Sequence, residues 1–258
     1  MRSFSISFLI MALLSGGCGR DNQGEVQDTL EVTPTTELAT TSTGPAMTST
    51  TVRPITIMAI GDSITQGSLG WDTYRCYLDR MLRDAGVPFD FVGGLSDPFS
   101  GQPYGCPTEF DMDHEGRWGW RADQVGVVVT ASVESLQPDI ALIHLGSNDV
   151  LQGQENSETV ADLEGLITGL QAVSPDITIL VAQIIPCILP ECATNVPALN
   201  AEIASMSELS TAESTVIIVN METGFRLDDL RDGIHPDDEG DQLIASRWMQ
   251  AMEENGLI

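Results

Sequence analysis

ITIMAIGDSIT, residues 55–65, joins an apolar run of strand length to a polar turn. The apolar run predicts a buried β-strand. The Gly-Asp-Ser that follows is typical of a turn into a helix, because Asp and Ser side chains accept hydrogen bonds from free helical N–H groups. The same turn would present the hydroxyl of Ser63 at the end of a strand. A catalytic role for Ser63 requires that the rest of the chain supply a base, an orienting acid and donors for an oxyanion.

Apolar runs alternate with amphipathic stretches through the rest of the chain. Strands are predicted at residues 55–60, 89–93, 139–146, 177–185 and 215–219, and helices at 73–86, 121–136, 157–173, 197–210 and 236–254. Near-continuous apolar strands separated by helices predict a parallel sheet covered on both faces. The expected fold class is therefore α/β, a three-layer α/β/α sandwich with a mostly parallel five-stranded sheet. Ligands bind outside the carboxyl ends of strands in such sheets, so Ser63 and Asn148, which each follow a strand, are expected at one edge.

RDGIHPDDEG, residues 231–240, precedes the last predicted helix and contains a candidate base. Asp232 lies three residues before His235, within reach of the imidazole Nδ1–H. That hydrogen bond would fix the tautomer and leave Nε2 free to act as a general base. The alternative is a turn residue followed by a helix that starts with Pro236 at its first position. The short Asp-x-x-His pattern alone does not separate the two interpretations.

GSND, residues 146–149, directly follows the third predicted strand. The side-chain amide of Asn148 can donate to a developing oxyanion, and one such donor typically contributes roughly 3 kcal/mol of transition-state stabilisation. The structural alternative is that these residues cap the next turn. Three blocks in this order, each beside a strand end or a helix start, favour the catalytic interpretation more strongly than any one of them.

These blocks resemble those of the SGNH (GDSL-type) hydrolase family, which is named after Ser, Gly, Asn and His in separate blocks. GDSIT supplies Ser63, GSND supplies Asn148 and DGIHP supplies His235 with Asp232. The Gly block best matches HEGRWGWRADQ, residues 114–124, with Gly119 assigned rather than Gly116. HEG followed by GW, together with YRCYLDRML and FDFVGG, is similar to the carbohydrate-esterase branch typified by acetylxylan esterases. The resemblance extends from about residue 55 to residue 253.

The resemblance implies a flavodoxin-like SGNH hydrolase fold and a serine esterase mechanism without a cofactor. Ser63 would attack an ester carbonyl while His235 takes its proton and Asp232 stabilises the imidazolium. The backbone N–H groups of Ser63 and Gly119 and the side chain of Asn148 would hold the oxyanion. The Gly-x-Ser-x-Gly elbow of α/β-hydrolases is absent, since residue 65 is Thr.

Several aromatic and acidic residues near these blocks are candidate substrate contacts. Trp71, Trp118 and Trp120 flank two of the blocks and could form a stacking floor for a sugar ring, although packing under a long loop is an equally ordinary role. Asp62, Trp71 and Trp120 are the residues expected to contact substrate. Asp149 is expected to brace its loop.

The other two histidines favour structural roles. His144 lies inside an apolar strand, which favours a hydrogen-bonded core histidine. His114 lies among acidic residues and is a weak metal-site candidate, but a salt bridge of the loop with Arg117 is the more ordinary interpretation. No metal site is therefore expected.

The N-terminus has the pattern of an exported protein. Residues 1–17 read as a signal peptide, with one positive charge, a short apolar stretch and small residues before Cys18. SGGC resembles a bacterial lipobox, which would make Cys18 the lipidated N-terminus; an ordinary signal peptide with an incidental Cys is the alternative. Residues 18–53 are Thr-, Ser- and Pro-rich and predict a mobile linker. The catalytic domain is expected at 54–258, in a cell-envelope lipoprotein or a secreted enzyme.

The net charge restricts the partners that the chain can bind, and the cysteine content predicts disulfides. The chain carries 38 acidic residues against 11 basic ones, all of them Arg, for a net charge of −27. This field repels nucleic acid and anionic membrane surfaces, so membrane contact is expected only through the lipid anchor. In an oxidising compartment four cysteines favour disulfides. Three connectivities exist, and local spacing favours Cys187–Cys192, which leaves Cys76–Cys106.

The sequence therefore predicts a serine esterase that removes short acyl groups, above all acetyl, from carbohydrate. Acylated carbohydrate or another small ester is the expected substrate, and the oligomeric state is not fixed by the sequence. Two alternatives remain open. One is a lipid esterase, lysophospholipase or thioesterase, which would have a long apolar groove beside Ser63. The other is a non-catalytic surface carbohydrate-binding lipoprotein, in which Ser63 and His235 would lie out of hydrogen-bond reach.

Overall fold

A computed structural model describes residues 53–106 and 110–258 of the chain. The predicted signal peptide, Cys18 and the linker up to residue 52 lie outside these residues. The strands are β1 Ile55–Gly61, β2 Phe89–Phe91, β3 Glu115–Gly116, β4 Ile140–His144, β5 Thr178–Gln183 and β6 Val216–Asn220. The helices are α1 Ser63–Gln66, α2 Tyr74–Asp84, α3 Ala122–Leu136, α4 Ser147–Leu151, α5 Asn156–Val173, α6 Cys192–Ile203 and α7 Asp238–Glu254, with 3-10 turns at Met206–Leu209 and Leu227–Asp229.

All strand pairs in the sheet are parallel, in the order β2-β1-β4-β5-β6, and β3 pairs with the end of β1. The register pairs Gly61 with His144, so β1 and β4 end at the same level. The turns that carry Ser63 and Asn148 therefore leave the sheet side by side. This arrangement confirms the parallel sheet expected from the apolar runs.

Helices cover both faces of the sheet, as predicted. α2 and α7 pack together on one face, and α3, α5 and α6 on the other. Alternate residues of β1 serve the two cores: Met58 and Ile60 face one cluster of buried side chains and Ile57 faces the other. Because both faces are covered, each strand interior is apolar along its whole length. The expected three-layer α/β/α sandwich is confirmed.

Three local features differ from the sequence-based expectation. β3 lies in a segment predicted as loop, and its two residues are too few to show a periodicity. α6 begins at Cys192 rather than at residue 197, so Pro197 lies inside the helix. α7 begins after Asp237, whose side chain accepts from the N–H groups of Glu239 and Gly240. Pro236 instead forms a bridge with Leu230, so its predicted place at the first helical position is wrong.

Two disulfides join Cys187 to Cys192, the pair favoured by local spacing, and Cys76 to Cys106, the pair that this leaves. The disulfide between Cys76 and Cys106 links α2 to the long loop before β3. The other joins Cys187, in the loop before α6, to Cys192, the first residue of α6. None of the helices in the described residues is long and apolar enough to cross a membrane.

Candidate active site

Ser63 is the first residue of α1 and follows β1 after a single residue. The Asp62 carboxylate accepts from the N–H of Ile64 at 2.9 Å and caps this short helix. A Cβ at Gly61 would overlap the side chain of Thr65 and the carbonyl of His144, so only glycine fits at this close approach. Ser63 therefore starts a helix and also presents its hydroxyl at the edge of the sheet.

His235 and Asp232 lie beside Ser63. The Ser63 Oγ is 2.9 Å from His235 Nε2, and His235 Nδ1 is 2.7 Å from Asp232 Oδ2. The other Asp232 oxygen accepts from the backbone N–H groups of Ile234 and His235, at 3.0 and 2.8 Å. These bonds fix the carboxylate against the imidazole. The arrangement provides a hydroxyl, a base and an orienting acid in one line.

The Asp232 carboxylate is held in its ionised form. Partial burial acts to raise its pKa, but the backbone N–H and the imidazole of His235 outweigh this, with the N–H of Ile234 acting in the same direction, and lower the pKa below the usual value. An ionised partner at Nδ1 is what a general-base imidazole requires to stabilise its protonated form.

Two of the predicted oxyanion donors are backbone N–H groups. The N–H groups of Ser63 and Gly119 have no hydrogen-bond partner within the described part of the chain. Gly119 has a φ of 78°, a left-handed conformation that favours glycine. Its carbonyl accepts from the side chain of Gln152 at 2.9 Å, which holds the peptide in place. Gly116 serves differently: it pairs with Gly61 in the sheet, and a Cβ there would overlap the backbone of Gln66.

Asn148 lies in α4 at the end of β4, and its side-chain amide donates to the Trp120 carbonyl at 3.1 Å. The neighbouring Asp149 accepts from the N–H of Ala122 at the start of α3, at 3.2 and 3.3 Å. Asp149 therefore braces its loop, as expected. The two contacts tie the Asn148 turn to the segment that carries Gly119.

Asp62 is fully buried, so the predicted substrate contact of this residue is wrong. Burial raises its pKa to about 7; the N–H of Ile64 opposes this, the nearby Asp149 carboxylate adds to it and the Asn148 amide opposes it. The Asp62 carboxylate stabilises the turn that carries Ser63 through its hydrogen bond with the N–H of Ile64. Sequence alone did not separate this role from substrate binding, because a helix cap and a rim carboxylate look alike in Gly-Asp-Ser.

We expect the free energy of unfolding to fall as the pH rises from 4 to 8. Burial raises the pKa of Asp62 to about 7 and that of Asp149 to about 6, against 3.8 for an ordinary Asp. The folded state therefore favours the protonated forms, and their contribution is fully present below about pH 4 and is lost as the pH rises through the folded pKa values. Urea unfolding at several pH values measures this slope.

Asp62→Asn is the matched variant, because it keeps an oxygen for the N–H of Ile64 but does not ionise. Its loss of stability between pH 5 and pH 8 should be smaller than that of the wild type by a few kcal/mol, since one pKa unit corresponds to about 1.4 kcal/mol. Asp228→Asn, at an exposed carboxylate paired with Arg226, serves as the control. Equal slopes in Asp62→Asn and the wild type would contradict the assignment.

The tryptophans divide into two roles. The Trp71 ring lies 5.4 Å from the His235 ring between centroids and lines the recess at Ser63, and its contact with substrate stays a prediction. Trp120 packs against the core with Arg117 over its ring at 5.3 Å, and its carbonyl holds Asn148. Trp118 stacks on His235, with centroids 4.7 Å apart and 23° between the planes. The ring stacked on His235 is that of Trp118, and the substrate contact expected at Trp120 stays a prediction.

Arg75 supports α1 and was not predicted. It is fully buried, and its guanidinium donates to the carbonyls of Thr65 and Gln66 at the end of α1, at 2.9 and 3.4 Å. It also donates to the Tyr104 hydroxyl at 2.8 Å. The available signal was an Arg among the apolar residues of the α2 face, between Tyr74 and Cys76.

The remaining histidines are buried away from the Ser63 hydroxyl. His114 accepts from the N–H of Gly116 at 2.9 Å, and burial with nearby Arg75 lowers its pKa to about 2. Arg117 forms the expected loop salt bridge, to Glu115 at 2.8 Å. Burial lowers the pKa of His144 to about 4, but the expected hydrogen bond is not formed, since both ring nitrogens lack a partner in the described residues.

The GDSL-like lipase/acylhydrolase family matches residues 59–243, so the chain belongs to this family and is a carboxylic ester hydrolase. Within it, the chain is close to carbohydrate esterase family 3. Its sequence is 30% identical to that of a carbohydrate esterase family 3 from Talaromyces cellulolyticus. The crystal structure of that protein matches with a TM-score of 0.69 over 78% of this chain and 97% of that one.

Two further relatives carry esterase names. An acetyl esterase, solved as a serine-to-alanine mutant with acetate ion, is 29% identical, with a TM-score of 0.68 over 78% of this chain and 99% of that one. A multidomain esterase from Ruminococcus flavefaciens is 26% identical over 224 residues, which is 77% of this chain. The chain spans 28% of the length of that curated relative.

Proposed function

We propose that the protein is a serine esterase that removes short acyl groups, above all acetyl, from carbohydrate. Ser63 is the nucleophile, His235 the general base and Asp232 the orienting acid. The observation that carries the proposal is the 2.9 Å contact between Ser63 Oγ and His235 Nε2, with Asp232 on the other ring nitrogen. A non-catalytic binding module has no use for this alignment.

In the proposed reaction the Ser63 hydroxyl attacks the ester carbonyl as His235 Nε2 takes its proton. The carbonyl oxygen becomes an oxyanion that receives hydrogen bonds from the Ser63 and Gly119 N–H groups and from the Asn148 side chain. His235 then gives the proton to the leaving sugar oxygen, and the acyl group remains on Ser63. A water then attacks the acyl carbon as His235 takes its proton; the bond to Ser63 Oγ breaks, His235 returns the proton to this oxygen, and the carboxylic acid is released.

The shape of the site supports a short acyl group. The recess at Ser63 is small, with a volume of about 10 Å³, and four of the side chains that line it are polar or acidic: Ser63, Asp72, His235 and Asp241. An apolar recess of about 10 Å³ lies between α4, Ile184, Ile234 and the Cys187–Cys192 disulfide. Both are small compared with the groove that a long acyl chain needs.

The relatives support the same substrate class. Two similar proteins are named as a carbohydrate esterase and an acetyl esterase. The net charge of −27 suits neutral polysaccharide better than anionic lipid.

We also propose export, with residues 1–17 as signal peptide and Cys18 as the lipidation site. The two disulfides support an oxidising compartment.

The substrate test compares p-nitrophenyl acetate, butyrate and octanoate, together with acetate release from acetylated xylan. We expect kcat/KM to fall from acetate to octanoate, by about tenfold or more, because neither recess has room for an eight-carbon chain and its methylenes stay exposed to water. Xylan should release acetate. Preference for octanoate with no acetate from xylan would favour the lipid-esterase alternative.

A further inference from the structure

Two aromatic rings lie against the His235 imidazole, and a third stacks on one of them. Trp118 stacks on it face to face, with centroids 4.7 Å apart and 23° between planes, and Trp71 lies against it at 5.4 Å and 57°. Phe99 stacks on Trp118, at 4.6 Å and 16°. Trp71 and Trp118 also contact each other at 5.8 Å. The imidazole is thus covered by the rings of two tryptophans, and its side chain is 12% exposed.

The backbone fixes the position of these rings relative to Ser63. The N–H of Trp118 donates to the side chain of Gln66, the last residue of α1, at 2.8 Å. The N–H of Phe99 donates to the carbonyl of Gly67 at 3.0 Å. Trp118 and Phe99 are therefore tied to the helix and turn that carry Ser63. The stack is held by the same element that positions the proposed nucleophile.

The aromatic cover acts differently on the two protonation states of His235. The face of an indole ring carries negative charge density and attracts a cation by about 0.5–2 kcal/mol, more where water is excluded. A neutral imidazole gains no such attraction. In the proposed reaction His235 becomes imidazolium only as Ser63 attacks, so the contact is stronger in the transition state than in the resting enzyme. Such differential contacts raise the rate.

Charged groups also face His235 from several elements. Asp232 bonds to its Nδ1. Asp72 and Asp241 line the recess that contains Ser63 and His235. Arg231 lies over the Trp71 ring at 4.7 Å and pairs with Asp238 and Asp241, at 3.2 and 3.5 Å. Changing the aromatic cover leaves all of these charges in place, so its effect can be measured separately.

We propose that Trp118 is a positioning residue that stabilises the imidazolium form of His235 through ring stacking, with Trp71 as a second, tilted partner. This inference rests on the proposed function, since it assigns Trp118 an effect on the proposed base. It gives the HEGRWGW block a role beyond the Gly119 N–H. It also explains why a large ring lies over His235 at a site that must admit a sugar ester.

The test is the pH profile of kcat/KM for p-nitrophenyl acetate in Trp118→Phe and Trp118→Leu. Loss of the indole face should move the acid limb to lower pH, by about 0.5–1 pH unit in Trp118→Leu and by less in Trp118→Phe. kcat should fall by about threefold to tenfold. If Trp118 only shielded His235 from water, its removal would hydrate the imidazolium, make protonation easier and move the acid limb to higher pH.

Phe99→Leu is the control, because the Phe99 ring contacts the far side of Trp118, and it should leave the acid limb in place. An acid limb that is unmoved or shifted upward in both Trp118 variants, with thermal unfolding unchanged, overturns the inference. Trp118→Phe keeps an aromatic ring in place, so it decides the question if Trp118→Leu fails to fold. Ser63→Ala distinguishes failure of this inference from failure of the proposed function. If Ser63→Ala is inactive and the Trp118 variants show no shift of the acid limb, the proposed function stands and only the role of Trp118 is rejected.

Discussion

Ser63→Ala should lose esterase activity while keeping its fold. The proposed nucleophile supplies the atom that forms the acyl-enzyme, and removing such a serine lowers kcat by about 10⁵-fold or more. The side chain is small, and its hydroxyl contacts His235 Nε2, so thermal unfolding should change little. Initial rates with p-nitrophenyl acetate and acetate release from acetylated xylan measure the loss.

Ser68→Ala is the matched control for this experiment. Ser68 lies five residues further along the chain, and its hydroxyl donates to the Phe99 carbonyl at 3.3 Å rather than to the imidazole. It should keep activity close to that of the wild type. Substantial activity in Ser63→Ala would contradict the mechanism, whatever the stability of the variant.

Asp232→Asn should have the next largest effect, a loss of about 10²–10⁴-fold in kcat. Asn can still accept from the backbone N–H of His235 through one oxygen. Its amide replaces the carboxylate oxygen that lies 2.7 Å from His235 Nδ1, and that amide donates to Nδ1 rather than accepting from it. The imidazole then carries its proton on Nε2 and cannot take the proton of Ser63.

A control variant separates the orientation of the His235 imidazole from the mere loss of a negative charge. Asp228→Asn removes an exposed carboxylate from the same region and should leave kcat unchanged. Activity in Asp232→Asn should not recover at higher pH, because the tautomer is wrong rather than the protonation state. Wild-type kcat in Asp232→Asn would show that another group orients the base.

The fold was predictable because its strands are apolar along their whole length. ITIMAI, DIALIH and TVIIV each specify a strand covered on both faces, and the structure places them side by side in a parallel sheet. The site blocks follow from the same pattern, since Ser63 and Asn148 each come directly after a strand. His235 was predictable only from the three blocks taken together and from the family resemblance, because Asp232 and the start of the last helix alone fit either interpretation.

Other features depend on tertiary contacts that no local pattern carries. The two residues of β3 pair only because the end of β1 lies beside them. Arg75 is buried because the carbonyl groups at the end of α1 converge on it. Asp62 has the chemistry of a substrate contact, and only the folded structure shows that it is a fully buried cap of α1. Trp118 and Trp120 flank the same glycine in sequence, and only their tertiary contacts distinguish the ring stacked on His235 from the ring packed against the core.

The most direct test of the central claim is covalent labelling of Ser63. Diethyl p-nitrophenyl phosphate transfers its diethylphosphoryl group to an activated serine and releases p-nitrophenol. We predict one label per chain, found on the peptide that contains Ser63 by mass spectrometry, with loss of activity in proportion to labelling. Label at another residue, or full activity after Ser63 is labelled, would contradict the account.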